Sequence, residues 1–182
     1  MEKLLFASDI HGSAFWCQKL ADVIHRENPT KICLLGDLLY HGPRNPLPDD
    51  YNPQAVAEIL NGFAQKVIAV RGNCDAEVDQ LLLSFPMRAD YALLSANNRD
   101  FFLTHGHLFD SENPPALKKG DVLLNGHFHL PELKTLPQGA IYLNCGSVAL
   151  PKNSPHSCLI IDGQTAKFID LELSNIFQKF DF

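Results

Sequence analysis

Five short clusters of chemically active side chains recur along the chain, each beside a glycine: Asp9-Ile10-His11-Gly12, Gly36-Asp37, Gly72-Asn73-Cys74-Asp75, Thr104-His105-Gly106-His107 and Gly126-His127-Phe128-His129. Residues two apart on an extended segment point the same way, so Asp9 and His11 aim two donors at one region, and so do His127 and His129. The neighbouring glycines let backbone approach without a Cβ clash. Imidazole mixed with carboxylate suits first-row divalent ions such as Mn, Fe, Co, Ni or Zn better than Mg or Ca. Any one cluster could cap a turn or sit on the surface. All five in order, each after an expected strand, point to a metal site.

The elements that must position these clusters can be read from apolar spacing. Residues 3–8 form an apolar run that reads as a buried strand ending at Asp9. Residues 13–27 have helical spacing, with Phe15, Leu20, Val23 and Ile24 on one side and Ser13 as N-cap. Residues 31–35 read as a second strand. Residues 40–53 form an irregular loop marked by Pro43, Pro46, Pro48 and Pro53. A helix is expected over 53–64 with proline in its first turn, a third strand over 66–70, and a short helix over 76–82. The second half holds short apolar segments near 88–95, 100–104, 121–124, 140–144, 157–162 and 165–172. Asn97-Asn98 and Asp162-Gly163 are hairpin-turn signals. Strand–helix units followed by a series of strands predict two packed sheets flanked by helices. In open α/β sheets, sites form beyond the carboxyl ends of strands, where all five clusters fall. No linker composition interrupts the chain, so residues 1–182 are expected to form one domain.

Bulk properties exclude some functions. A net charge of −6 argues against tight binding of long nucleic acid, which needs many Lys and Arg contacts to phosphates. The N-terminal apolar stretch is too short for a signal peptide and is interrupted by Asp9. No apolar run approaches the ~18 residues of a membrane span. A cytoplasmic, non-membrane protein is expected. The five cysteines are odd in number and include no Cys-x-x-Cys pair, which argues against a disulfide framework and a zinc ribbon.

The ordered pattern Asp-x-His, Gly-Asp, Gly-Asn-x-Asp, Thr-His-Gly, Gly-His-x-His spans residues 9–129, with Asn144-Cys145-Gly146-Ser147 behind it. It resembles the calcineurin-like metallophosphoesterase superfamily, and within it the small bacterial phosphodiesterases of the YfcE type. The resemblance extends to Phe6-Ala7-Ser8, His41-Gly42-Pro43-Arg44-Asn45, Val67-Ile68-Ala69-Val70-Arg71 and Leu103-Thr104-His105-Gly106-His107-Leu108-Phe109. It implies a four-layer α/β sandwich, two mixed β-sheets packed together and flanked by helices. It implies two divalent metal ions, manganese first among them, with Ni, Co, Fe or Zn as alternatives. Asp9, His11 and His129 would hold one ion, Asn73, His105 and His127 the other, and Asp37 would bridge them. Related enzymes imply a homodimer or higher homo-oligomer.

Two divalent ions against two carboxylates and a hydroxide leave the cluster at about +1, a cationic spot for an anionic substrate inside an acidic protein. The expected reaction is hydrolysis of a small phosphodiester by in-line attack of a metal-bridging hydroxide. The superfamily often has histidine where this chain has Cys74. A thiol near its ordinary pKa of ~8.5 is the weaker acid partner at neutral pH, so substrates with stable leaving groups are expected. His107 is the candidate substitute acid. Asp75 is expected to orient the metal loop. His41, Arg44, Asn73 and His107 are candidate substrate contacts, Arg44 being suited to a bidentate grip on phosphate. The competing readings are a phosphomonoesterase or phosphatase, and a non-catalytic scaffold of the same fold.

Overall fold

The computed structural model describes residues 1–182. Two mixed sheets pack face to face. The first runs β11-β10-β9-β1-β2-β3, and the second β4-β5-β6-β8-β7. Strands β1 (Lys3–Ala7), β2 (Lys31–Leu34) and β3 (Val67–Ala69) are parallel, joined by helices α1 (Ala14–Glu27) and α2 (Pro53–Asn61). Strands β9 (Ser157–Asp162), β10 (Thr165–Asp170) and β11 (Ile176–Asp181) extend that sheet antiparallel from β1. In the second sheet β5 (Arg99–Thr104), β6 (Val122–Asn125) and β8 (Ile141–Cys145) are parallel. Strands β4 (Tyr91–Ala96) and β7 (Pro131–Thr135) close its edges antiparallel.

Period-two alternation divides the apolar residues between two layers. Leu4, Phe6, Cys33 and Leu35 face the second sheet, where they meet Phe101, Leu103, Leu124 and Leu143. Leu5, Ala7, Ile32 and Leu34 face the helices. The outer face of the second sheet carries Phe102, Leu123 and Tyr142 under Leu117, Leu136 and Ala140. The expected α/β sandwich is therefore the observed class, with the outermost layer on this side made of connections rather than helix.

Ser13 caps α1 by accepting from the Trp16 amide at 3.3 Å, and Asn52 caps α2 by accepting from Ala55 at 3.1 Å. Phe15 is 46% exposed, because it sits one residue off the stripe that Trp16, Cys17, Leu20 and Ile24 bury. The segment expected as a helix over 76–82 is a 3₁₀ turn, Glu77–Leu81. Strands β7 and β11 have no counterpart in the sequence reading. Both are edge strands, one opening on Pro131 and the other largely exposed, so neither carries an alternating apolar pattern. Asn97 and Asn98 both take positive φ, as the β4–β5 hairpin turn requires. No helix is long and apolar enough to cross a membrane.

Candidate metal centre

The parallel strands of both sheets end on one edge, and the five clusters follow those ends. The loops are sewn together across the sheets. Gly126 donates to the His105 carbonyl at 2.9 Å, Val148 to Ser8 at 3.0 Å and Ala149 to Asp9 at 3.1 Å. Asn144 donates to the Gly126 carbonyl at 2.6 Å, and Ser147 Oγ donates to the Asp9 carbonyl at 2.9 Å. A Cβ on Gly126 would stand 2.0 Å from Ser8 Oγ and 2.6 Å from Asp9 Oδ2, and one on Gly72 would stand 2.1 Å from Asp37 Oδ1. Those two glycines admit the carboxylates.

The side chains are not presented on extended backbone, as the sequence reading had it. Asp9, His11, Asp37, His127 and His129 all have positive φ, between 49° and 64°. Past the strand ends the chain curls, and its amides bond to the neighbouring loop, His11 N to the Asp37 carbonyl at 2.9 Å for example. Left-handed backbone costs an L-residue about 1–2 kcal/mol, so the site holds strain that its surroundings must offset.

Three imidazoles are oriented by backbone carbonyls. Nδ1 of His11 lies 2.9 Å from the Tyr40 oxygen, that of His105 2.7 Å from Leu35, and that of His129 2.5 Å from Leu150. A carbonyl only accepts, so each Nδ1 carries a proton and each Nε2 faces inward. There the acceptors crowd. His129 Nε2 and His11 Nε2 lie 3.1 and 3.5 Å from Asp9 Oδ1, and 3.3 Å from each other. His105 Nε2 lies 3.4 Å from Asp37 Oδ2 and 3.1 Å from Asn73 Oδ1. His127 offers Nδ1, 3.2 Å from His105 Nε2. Asp9 Oδ1 is wholly buried and has no hydrogen-bond partner. Such inward-facing donors fit divalent cations, and all seven sequence-predicted ligands share the arrangement. Cys74 joins His11 and Asp37 in a third potential donor set that sequence reasoning did not assign.

Charges within the cluster shift the protonation of its members. Burial pulls His105 toward neutrality, but the hydrogen bond to Asp37 and the charges of Asp9 and Asp37 prevail and raise it to about 9. His11 is raised in the same way, burial being outweighed by Asp9. Burial works against ionisation of Asp9 and Asp37, yet the facing histidines hold both carboxyls low. His127 is pushed down to about 4 by burial and then by the charge of His105.

The remaining candidates divide. Asp75 orients the loops: its carboxylate accepts from the amides of Asp37, Leu38 and Gly72 at 2.8, 2.8 and 2.7 Å. The Cys74 amide donates to Asp37 Oδ1 at 2.8 Å. The Cys74 thiol is not near its ordinary pKa. Burial and then the charge of Asp37 push it up to about 12, so it stays protonated. His107 has its ring 5.4 Å from that of His105, and burial lowers its pKa. His41 packs against Tyr40 and Tyr51 instead of joining the cavity wall. Arg44 does line the cavity of about 520 Å³ over the centre, with Asn73 and Cys74. Tyr40, Phe128 and Lys152 line it too, and sequence reasoning missed all three. Phe128 could have been found as the middle residue of Gly-His-x-His; nothing in the sequence marks Lys152.

Comparison with known proteins bears on family and fold. Residues 2–166 match the calcineurin-like phosphoesterase superfamily domain. The chain is 47% identical over 178 residues to the phosphodiesterase YfcE of Escherichia coli (strain K12), covering 97% of this chain and 96% of that one. The structure of YfcE, a phosphoesterase from E. coli, matches with a TM-score of 0.94 at 44% identity, over 98% of each chain. Vps29 from Entamoeba histolytica, complexed with Zn²⁺, matches with a TM-score of 0.65 at 20% identity over 98% of each chain, a likeness of fold alone.

Proposed function

The chain belongs to the calcineurin-like phosphoesterase superfamily, and from that premise we propose that it is a phosphodiesterase acting on small substrates through two divalent ions, manganese first among them. The observation that carries this reading is the ring of inward-facing imidazole and carboxylate acceptors around Asp9 and Asp37. Asp9, His11 and His129 would hold one ion and Asn73, His105 and His127 the other, with Asp37 between. A bound pair would supply Lewis acidity toward a water and phosphate oxygens, the chemistry of in-line displacement at phosphorus. The layer of apolar residues shared by the two sheets supports one metallophosphoesterase domain over residues 1–182.

The chain's own residues shape the rest. Arg44 and Asn73 face the cavity where phosphate oxygens would lie, and Asp75 keeps the Asp37 loop in place. Cys74, raised to about 12, is a poor proton donor, and burial disfavours the charged, donating form of His107. Leaving groups that depart without a proton are therefore preferred.

The test is metal-stripped protein reloaded in turn with Mn, Ni, Co and Zn, assayed on an aryl diester and the monoester of the same phenol. Metal-dependent turnover is expected, faster on the diester and steeply dependent on leaving-group pKa. A flat dependence would show that an efficient acid is present. No turnover with any metal would leave a scaffold of the same fold.

A further inference from the structure

We propose that Phe128 selects the substrate and that Lys152 helps to hold it. Phe128 is a shelf for a planar aromatic substituent, and Lys152, with Arg44, is a cationic grip on the phosphate oxygens. This inference rests on the phosphodiesterase reading above and narrows its substrate to phosphate esters with an aromatic group.

Phe128 sits between two ligand histidines and is 41% exposed, an apolar ring on the wall of a polar cavity. Tyr40, also 41% exposed, lines the same cavity from the proline-rich loop. Aromatic faces left open beside a charged centre gain from burial against a planar group, in offset or edge-to-face contact. The Phe128 ring packs edge-on against His127, centroids 5.2 Å apart, which sets the shelf beside the donor loop. The Lys152 amide donates to the His129 carbonyl at 2.9 Å, which ties its position to the same loop. Its side chain lines the cavity and has no carboxylate partner, and the same holds for Arg44, whereas Lys3, Arg71 and Lys118 are each paired. Two uncommitted cations on one cavity suit an anion, by charge-assisted hydrogen bonds to its oxygens.

Phenylphosphonate and methylphosphonate share a head group and cannot be hydrolysed, so calorimetric titration of the metal-free and manganese-loaded protein reads binding apart from turnover. Phe128→Ala is expected to weaken phenylphosphonate about fivefold and leave methylphosphonate within about twofold. Phe128→Leu, which keeps the bulk, should show most of that loss, and Phe128→Trp should restore binding. Lys152→Met should weaken both ligands alike, about tenfold, with Lys152→Arg recovering most of it. In turnover, Phe128→Ala should raise KM for an aryl diester but not for a dialkyl diester. Equal effects of Phe128→Ala on the two phosphonates, or none from Lys152→Met, would overturn the assignment. If wild-type protein binds phosphonates as described yet hydrolyses no diester with any metal, the phosphodiesterase reading fails while the shelf and grip stand.

Discussion

The two halves of the metal centre are built on different terms. Asp9, His11 and His129 are 6% exposed or less, and both histidines are anchored to carbonyls through Nδ1. On the other side Asn73 is exposed, His127 is half-buried, and the His127 ring has no carbonyl anchor. Only His105, buried and anchored to Leu35, gives that half a fixed donor. The closed half is held by burial and carbonyl anchors. The open half has fewer such restraints, and its exposure would leave room for a phosphate. Preorganised donors bind more tightly because less freedom is lost on binding, so the first ion should be held better than the second.

Asp37 Oδ2 lies 3.7 Å from His11 Nε2 and 3.4 Å from His105 Nε2, within reach of both halves, and removing it should have the largest effect. Asp37→Ala is expected to lower kcat on the order of 10³-fold and to leave at most one ion per chain. Steady-state kinetics and metal analysis on the same sample decide it. Two ions at the wild-type rate would end the picture of a shared carboxylate.

Calorimetric metal titration should resolve a tight and a weaker step. His11→Ala should weaken the tight step about 100-fold, and His127→Ala should weaken only the weaker step, about tenfold. The opposite ranking would show that burial does not set the order of loading.

Protons draw a contrast inside the open half, because they would compete with an ion at buried His105 and not at half-buried His127. His105, raised to about 9, must lose its proton on binding, whereas His127, lowered to about 4, is already neutral at pH 7. A raised histidine stabilises the metal-free fold fully below its unfolded value of ~6.5, and that contribution is lost as pH rises through about 9. Metal affinity moves the other way, rising up to about tenfold per pH unit for the displaced proton and levelling above pH 9. The gap in Tm between metal-loaded and metal-free protein should therefore widen from pH 6.5 to 9. A constant gap would mean that no proton leaves His105.

How much of this was legible in the sequence follows from what each feature depends on. The donor-bearing side chains and their places after strand ends could be read, because donors are named by side-chain chemistry and buried strands by apolar runs. The sandwich could be read from the order of those runs. Strands β7 and β11 could not, since an exposed edge needs no alternating pattern. The shift of Cys74 to about 12 could not either, because it arises from burial and from Asp37, which lies 37 residues away in the chain. Nor could the place of Lys152 on the cavity, since its amide bonds to the carbonyl of His129, a contact that no local pattern reports. The left-handed backbone at five ligand positions was misread as extended, because a local pattern does not report the cross-loop bonds that bend it.

That backbone supplies the smallest and most discriminating test. At φ 64° for His127 and 49° for His11, alanine keeps the steric penalty of an L-residue while glycine escapes it. Glycine gives back part of the gain through the freer unfolded chain. At each of these positions the glycine variant should exceed the alanine variant by about 1 kcal/mol in metal-free denaturant unfolding. Both variants lack the imidazole, so its lost contacts cancel in the difference. His107, which is not among the positive-φ residues, is the control within a neighbouring loop, and there alanine should be the more stable by about 0.5–1 kcal/mol. An equal advantage for glycine in the closed and open halves would show that strain is shared by both, leaving burial and carbonyl anchoring as the features that separate them. An advantage at His11 alone would instead make the open half the relaxed one, able to adjust its backbone around the second ion.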